Sequence, residues 1–296
     1  MPELPDLTIY IEHLDRRVTG VRLKDIRLRS PFVLRSVSPS PEEVRGRRVR
    51  GVRRLAKQIV FDLEGECFMV IHLMIAGRLR WYETGKASPG AGLAAFDFSS
   101  GTVLLTEASK KKRASLRLVS GAEALAALDP GGLELLAIDE ATFADQLRGS
   151  RHTLKRTLTD QRIFAGVGNA YSDEILLAAR LSPFKRAPDV SDEEAARLFE
   201  ACRATLTDWI DILRAKAGTW FPSKVTAFHP EMAAHGKYKD PCPVCGAPIQ
   251  RIVYAENESN YCARCQTGGR LLADRSLSRL LKDSYPKRIE ELEGIP

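Results

Sequence analysis

Cys242-Pro243-Val244-Cys245 and Cys262-Ala263-Arg264-Cys265 stand sixteen residues apart in a chain of 296 residues. Each C-x2-C pair places two thiolates on a tight turn, and two such turns complete a tetrahedral all-sulfur site that favours zinc. A closed four-thiolate site holds its metal structurally, so one structural Zn2+ is expected and the function lies in what the metal presents. The spacer from Gln250 to Tyr261 is long enough for two strands with a turn near Ala255 to Ser259. Cys67 and Cys202 stand alone in apolar surroundings, which points to metal binding and away from a disulfide framework.

Working outward from this module, residues 222–239 lack clear periodicity, and a tail of about thirty residues follows the last cysteine. In that tail Leu271, Leu272, Leu277, Leu280 and Leu281 suggest a short helix. Towards the N-terminus the chain is Ala- and Leu-rich from residue 122, with helical patterning over 141–147, 153–163, 172–180 and 192–215. Residues 21–119 instead carry short β-branched and aromatic runs such as Ile59-Val60-Phe61, separated by turns such as Leu63-Glu64-Gly65-Glu66, and predict a mainly antiparallel β domain. Before them, Leu7, Tyr10, Ile11, Leu14 and Val18 follow helical spacing between Pro5 and Gly20. The expected domains are residues 1–122, 123–225 and 226–268, with an extension over 269–296.

Hydrophobic residues make up 44% and charged residues 28%, which excludes a mostly disordered chain. The longest apolar stretches are far too short to span a bilayer. The start has no basic segment followed by an apolar one, so no secretory signal is expected and a cytoplasmic protein is. Lys and Arg number 45 against 38 acidic residues, a net +7, which suggests a polyanionic partner.

Two basic clusters carry much of that charge. Arg45, Arg47, Arg48, Arg50, Arg53, Arg54 and Lys57 crowd one stretch, and Lys110, Lys111, Lys112 and Arg113 form another. Each by itself reads as a solvated basic face; beside the four-cysteine hairpin they read as a phosphate-backbone footprint. Lys57 differs, because it introduces the apolar run 59–61, which would point its charge into a groove. Gly166-Val167-Gly168-Asn169 precedes an apolar helical run, with two glycines for a tight turn, Asn169 as cap, and Asp173 and Glu174 suited to the positive helix end. Exposed amides at such a turn can bind phosphate, although an ordinary capped helix has the same signature.

The opening Met1-Pro2-Glu3-Leu4-Pro5-Asp6 has a further chemical reading. A small second residue permits removal of the initiator methionine, which exposes Pro2 as a secondary amine able to attack a sugar C1′. Glu3 beside it can donate and accept protons.

The N-terminal MPELPD, Lys57 before a strand, Gly166-Val167-Gly168-Asn169 at a helix start and the four-cysteine finger together resemble the formamidopyrimidine-DNA glycosylase / endonuclease VIII family, over about residues 1 to 266. The resemblance implies an α+β fold: an N-terminal β-sandwich with flanking helices, a helix-two-turn-helix domain and a C-terminal four-cysteine zinc finger hairpin. It implies a bifunctional DNA glycosylase and AP lyase of base excision repair, in a bacterial-type cytoplasm and at the nucleoid during repair. Pro2 would form a Schiff base with a nucleotide flipped from the duplex, and β- and δ-elimination would nick the strand. Glu3 matches the family's acid/base carboxylate and Lys57 its phosphate-binding lysine, so the expected catalytic set is Pro2, Glu3 and Lys57. Asn169, on the Gly166 to Gly168 turn, matches an asparagine that binds phosphate, and His72 and His235 resemble further backbone contacts. With Lys110, Lys111, Lys112 and Arg113 these make the expected DNA-binding set; the expected metal ligands are Cys242, Cys245, Cys262 and Cys265.

Departures from the family pattern bear on substrate choice. A hairpin arginine five residues before the third cysteine is Asn257 here, which removes a bidentate phosphate clamp; Arg251 and Arg270 are the candidates to replace it. The wedge methionine position aligns with Ile75, beside Met74. The second wedge loop, commonly an Arg with a nearby Phe, is replaced by Ser109 to Ser115 without an aromatic, which suits a gapped, single-stranded or distorted substrate; the expected partner is damaged DNA, duplex or distorted and single-stranded. Asp6 stands where Glu is more usual. The rival reading is a weakly catalytic or non-catalytic zinc-dependent binder of damaged DNA. A single chain supplies the whole footprint, so a monomer is expected.

Overall fold

The computed structural model describes residues 1–83, 92–222, 225, 228–254, 257–273, 279–280 and 286–293. Two compact units make up the chain: residues 1–131 with 208–227, and residues 132–207 with 228–296. This division crosses the segment boundaries read from the sequence, because helix α7 (Asp192–Ala217) contributes to both units.

The first unit opens with helix α1 (Leu4–Val18), which buries Leu7, Tyr10, Leu14 and Val18 along one stripe. That stripe packs on two four-stranded antiparallel sheets. One runs β1 (Leu23–Leu28), β6 (Ala94–Phe98), β7 (Gly101–Glu107), β5 (Gly77–Glu83). The other runs β2 (Val49–Leu55), β3 (Gln58–Leu63), β4 (Cys67–His72), β8 (Ser115–Ser120). Ile59, Phe61, Met69 and Ile71 join Leu79, Phe96, Val103 and Leu105 in one core cluster. Val60 and Val70 turn the other way and are covered by Leu125 of helix α3 (Ala122–Ala126), so strand β3 is buried on both faces. This is why its sequence reads as a continuous apolar run and not as an alternation.

The second unit holds α4 (Glu140–Gly149), α5 (Leu154–Thr159), α6 (Asn169–Ala178) and the start of α7, with Phe143 stacked on Phe164 at 5.0 Å and tilted on Phe199 at 5.3 Å. Helix α5 ends at Thr159, short of the expected 163, because the Asp160 carboxylate takes the N–H of Arg162 and turns the chain. Strands β9 (Gln250–Tyr254) and β10 (Asn257–Tyr261) form the expected hairpin. Its expected turn lies partly outside the described residues, at Ala255 and Glu256, as does most of the suggested tail helix.

Part of the extension is integral to the finger. Leu271 N–H donates to the Lys287 carbonyl and Ile289 N–H to the Gly269 carbonyl, and Ile289 is fully buried with Leu271 and Leu272 against Ile252 and Tyr261. The Tyr261 hydroxyl accepts the N–H of Leu272 at 2.7 Å. Among the described residues no helix is long and apolar enough to cross a membrane.

Candidate active site and nucleic-acid interface

The register of the first unit gathers its candidate residues at one end of the two sheets. Gln58 pairs with His72 and His72 with Ser115, while Gly77 pairs with Glu107 in the other sheet. The four residues between His72 and Gly77 join β4 of one sheet to β5 of the other at this end. Met74 adopts a φ of 52°, and Gly77 N–H closes the turn on the Leu73 carbonyl at 2.9 Å. A Cβ on Gly77 would lie 2.2 Å from that carbonyl, so the turn requires glycine.

Pro2 and Glu3 are buried, and Glu3 is the N-cap of α1. Asp6 is fully buried and its carboxylate accepts the Glu3 N–H at 2.8 Å, so the acid flagged as shorter than usual serves the helix start. Burial holds the Met1 amino group below its usual pKa; Arg78 and Lys57 push the same way, against Glu3 and Asp6. Lys57, 6% exposed, follows Ala56 at φ 49° in the β2–β3 turn. The amine, Glu3, Asp6, Lys57 and Arg78 therefore share one electrostatic neighbourhood. Arg78 was not singled out from the sequence, because only the register places it there.

His72 closes β4. Its Nδ1 accepts the Met74 N–H at 3.1 Å, which leaves the ring proton on Nε2. Burial, with Lys57 and Arg117 nearby, lowers its pKa to about 4, so it is a neutral imidazole near pH 7.

Three of the six arginines of β2 and its approach are paired with carboxylates. Arg45 meets Asp25 at 2.6 Å, Arg53 meets Asp62 at 3.0 Å and Arg48 meets Glu64 at 3.7 Å. The solvated-face reading holds for these three, while Lys57 is buried at the site.

In the second unit the Gly166 to Gly168 turn is braced by Gln161, whose side chain accepts the Gly166 N–H at 2.9 Å and donates to the Val167 carbonyl at 2.7 Å. Gly166 takes a φ of 86°. The N-cap of α6 is Gly168 and Asn169 is the first helical residue, which corrects the capping role expected for Asn169. Asp173 and Glu174 also differ from expectation: they lie beyond the first turn, buried, and act on partners distant in sequence.

The Glu174 carboxylate accepts the N–H groups of Ala233, Ala234 and His235, each at 2.8 Å. Burial raises its pKa, and these three donors oppose the rise. Asp173 accepts from Lys155 Nζ at 2.6 Å and Ser259 Oγ at 3.2 Å, and its other oxygen lies 2.8 Å from His235 Nδ1. Lys155 Nζ donates as well to the Asn169 carbonyl at 2.6 Å. Asn169, His235 and the hairpin are thus joined through one carboxylate, and Lys155 is a site residue that the sequence reading missed.

The four cysteine sulfurs lie within 4.8 Å of one another, with Cys245 and Cys262 at 3.4 Å and Cys242 and Cys265 at 4.0 Å. Zinc–sulfur bonds of about 2.3 Å in a tetrahedron put sulfurs roughly 3.8 Å apart, so the set fits one structural zinc ion. Arg251 sits over the Tyr238 ring at 4.4 Å and lies 3.9 Å from Glu258. Arg270 forms a backbone bridge with Arg288.

A buried N-terminus in the first unit, and a glycine turn and a four-cysteine finger in the second, are the parts of a class of DNA-repair fold, and comparison with known proteins assigns the family. Residues 1–118 match the formamidopyrimidine-DNA glycosylase N-terminal domain, residues 131–219 the H2TH domain of the same enzymes, and residues 239–268 the zinc finger found in FPG and IleRS. The formamidopyrimidine-DNA glycosylase of Heliobacterium modesticaldum is 32% identical over 281 residues, covering 90% of this chain and all of that one. The Thermus thermophilus enzyme is 31% identical over 279 residues, covering 91% and 100%. MutM, solved in complex with DNA containing carbocyclic 8-oxo-G, aligns with a TM-score of 0.79 at 25% identity, covering 90% of this chain and 100% of that one. The chain belongs to the formamidopyrimidine-DNA glycosylase / endonuclease VIII family, a family of base excision repair glycosylases.

Proposed function

We propose that this protein is a bifunctional DNA glycosylase and AP lyase of base excision repair, with the amine of Pro2 as nucleophile. The observation that carries the reading is the buried N-terminus: Pro2 is buried next to a Met1 amino group that burial holds below its usual pKa among Glu3, Arg78, Asp6 and Lys57, and removal of Met1 would put the Pro2 amine in this neighbourhood. A neutral amine is the nucleophilic form, and desolvation enlarges its share at neutral pH.

Once Met1 is removed, the Pro2 nitrogen attacks C1′ of a flipped nucleotide. The N–C1′ bond forms as the glycosidic bond breaks, and the base departs with its electron pair and a proton supplied through Glu3. The Pro2 nitrogen gives up its proton and the C1′–O4′ bond breaks with a proton passing to O4′, which opens the sugar ring to an iminium; this acidifies the C2′ hydrogen, whose removal breaks the C3′–O bond, and a second elimination breaks C5′–O. Water then releases the sugar fragment and restores Pro2. Lys57 binds phosphate next to the reacting sugar, and His72 donates from Nε2 to the backbone. Asn169 and His235 bind further phosphates, supported by Glu174 and Asp173. The zinc ion, held by Cys242, Cys245, Cys262 and Cys265, supplies structure to the hairpin and takes no part in the reaction.

The rival, a damaged-DNA binder with weak chemistry, draws on Asn257 standing in β10 where the family usually has arginine. Glu3→Gln separates the two. The glycosylase reading expects base release from oxidised duplex DNA to fall by about 100-fold or more while affinity for the same DNA is retained. Equal rates for both proteins would favour the binder.

A further inference from the structure

Helix α5 has six residues and is about 9 Å long, so the chain entering it and the chain leaving it stay close together. Between them lies an open bowl of about 350 Å3, walled by Ser150, Arg151 and His152 on the way in and by Asp160, Arg162 and Ile163 on the way out. Both walls are fixed. The buried Ser150 Oγ lies 2.9 Å from Thr157 Oγ1 of the helix and accepts the His152 N–H at 3.3 Å, and the His152 carbonyl accepts the Ala187 N–H at 2.9 Å. Asp160 accepts from Arg162 through its backbone N–H and its Nε, each at 3.0 Å, and through Nη2 at 2.6 Å. These bonds hold the Asp160 carboxyl down to about 2 against the effect of burial, and His152 pushes the same way as Arg162.

The pairing with Asp160 leaves Arg162 Nη1 unused, and neither the Arg151 guanidinium nor the His152 ring makes a hydrogen bond or ion pair among the described residues. Two guanidiniums and an imidazole against one carboxylate select an anion, and a dianion gains more there than a monoanion. The bowl is separate from the Gly166 to Gly168 turn. Gln161, between the two members of the pair, turns its side chain to Gly166 and Val167, and no residue of that turn lines the bowl. Its volume falls at the lower end of the range of small-molecule sites, about 300–1,000 Å3, and leaves room beside a phosphate for the attached sugar.

Internal DNA phosphates are diesters with one charge, whereas a phosphomonoester carries about −1.5 to −2 near neutral pH and presents three acceptor oxygens. Breaking C3′–O and C5′–O at a lesion turns two diesters into monoesters, one on each new strand end. We propose that the bowl is a second anion site, in which Arg151, His152 and Arg162 hold a nucleoside phosphomonoester: the phosphorylated strand end that the eliminations leave, or a free mononucleotide of the same chemistry. Asp160 is its positioning residue, because its carboxylate fixes the Arg162 guanidinium. The proposal rests on the lyase reading only for the origin of the strand end.

The test uses the full zinc-loaded chain in isothermal titration calorimetry. The probes are one short oligonucleotide made with a 5′-phosphate, with a 3′-phosphate or with hydroxyls at both ends, and dAMP beside deoxyadenosine. A terminal phosphate is expected to lower Kd about tenfold or more relative to the hydroxyl form, and dAMP is expected to bind where deoxyadenosine gives no heat. Arg151→Ala with His152→Ala should abolish both effects without moving the thermal midpoint or single-turnover base release, and Arg151→Lys, which keeps the charge but loses the fork, should retain part of them. Asn169→Ala should weaken every oligonucleotide alike and leave the gain from a terminal phosphate intact. A gain on the oligonucleotide supports the site with the strand end as its ligand; binding of dAMP with no gain on the oligonucleotide supports the site with the free mononucleotide. No binding of dAMP together with equal affinity for phosphate and hydroxyl ends, or phosphate effects unchanged in the double variant, would overturn the site. The probes are synthetic, so a failure of borohydride trapping on abasic DNA refutes the lyase and leaves the site standing.

Discussion

Lys155 and Asp173 form a buried ion pair, Nζ to Oδ1 2.6 Å, with 4% and 1% of their side chains exposed. The pair ties the start of α6, through the Asn169 carbonyl, to His235 and to the hairpin strand at Ser259. Removing one member strands the other charge in a dry site, which costs about 3–5 kcal/mol, whereas apolar replacement of both is far milder. Asp173→Ala should therefore destabilise the protein by that amount in urea unfolding, and Lys155→Met with Asp173→Leu should recover much of it. A loss under about 1 kcal/mol for Asp173→Ala would show that the pair is not closed in solution.

His13 and His72 both have pKa values lowered to about 4, in each case first by burial. In the unfolded chain each imidazole takes up a proton near pH 6.5, so the unfolded state binds more protons between that value and about 4. Their contribution to stability is complete above about pH 6.5 and is lost as the pH falls towards 4. Denaturation midpoints measured from pH 7.5 to 5 should decline, and His72→Gln should flatten that decline. A variant with an unchanged pH profile would contradict a neutral His72.

The extension beyond the zinc module should behave as core. Ile289→Ala removes a fully buried side chain from the cluster with Ile252, Tyr261 and Leu272 and should cost about 2–5 kcal/mol. Differential scanning calorimetry with zinc present gives the answer, and a shift below about 1 °C would mean that the segment around Ile289 is not docked.

The periodic elements were legible because local rules and tertiary packing agree there. Helix α1 presents Leu7, Tyr10, Leu14 and Val18 as spaced in the sequence, and the four-cysteine set closes as its spacing predicts. The misreadings fall where a tertiary partner decides. Asn169 resembles a cap but enters the helix, since Gly168 takes the extended conformation at the N-cap. Asp173 and Glu174 look like helix-dipole acids, yet their partners come from other segments: Lys155 is 18 residues before Asp173, and His235 is 62 and 61 residues after Asp173 and Glu174. Lys155 gives no local signal at all, and Arg78 reaches the amine only through the register of β5. In the arginine cluster the pairing was not legible, because Asp25, Asp62 and Glu64, which meet three of its members, come from other strands and turns.

Trapping the protein on abasic-site DNA tests the central claim most directly. Methionine-processed protein is incubated with the DNA and borohydride, and the adduct is digested and mapped by mass spectrometry. The account predicts a stable adduct whose modification maps to Pro2, absent in a variant that retains Met1 and slowed in Lys57→Ala. An adduct carried by a lysine, or one formed equally well with Met1 in place, would contradict it.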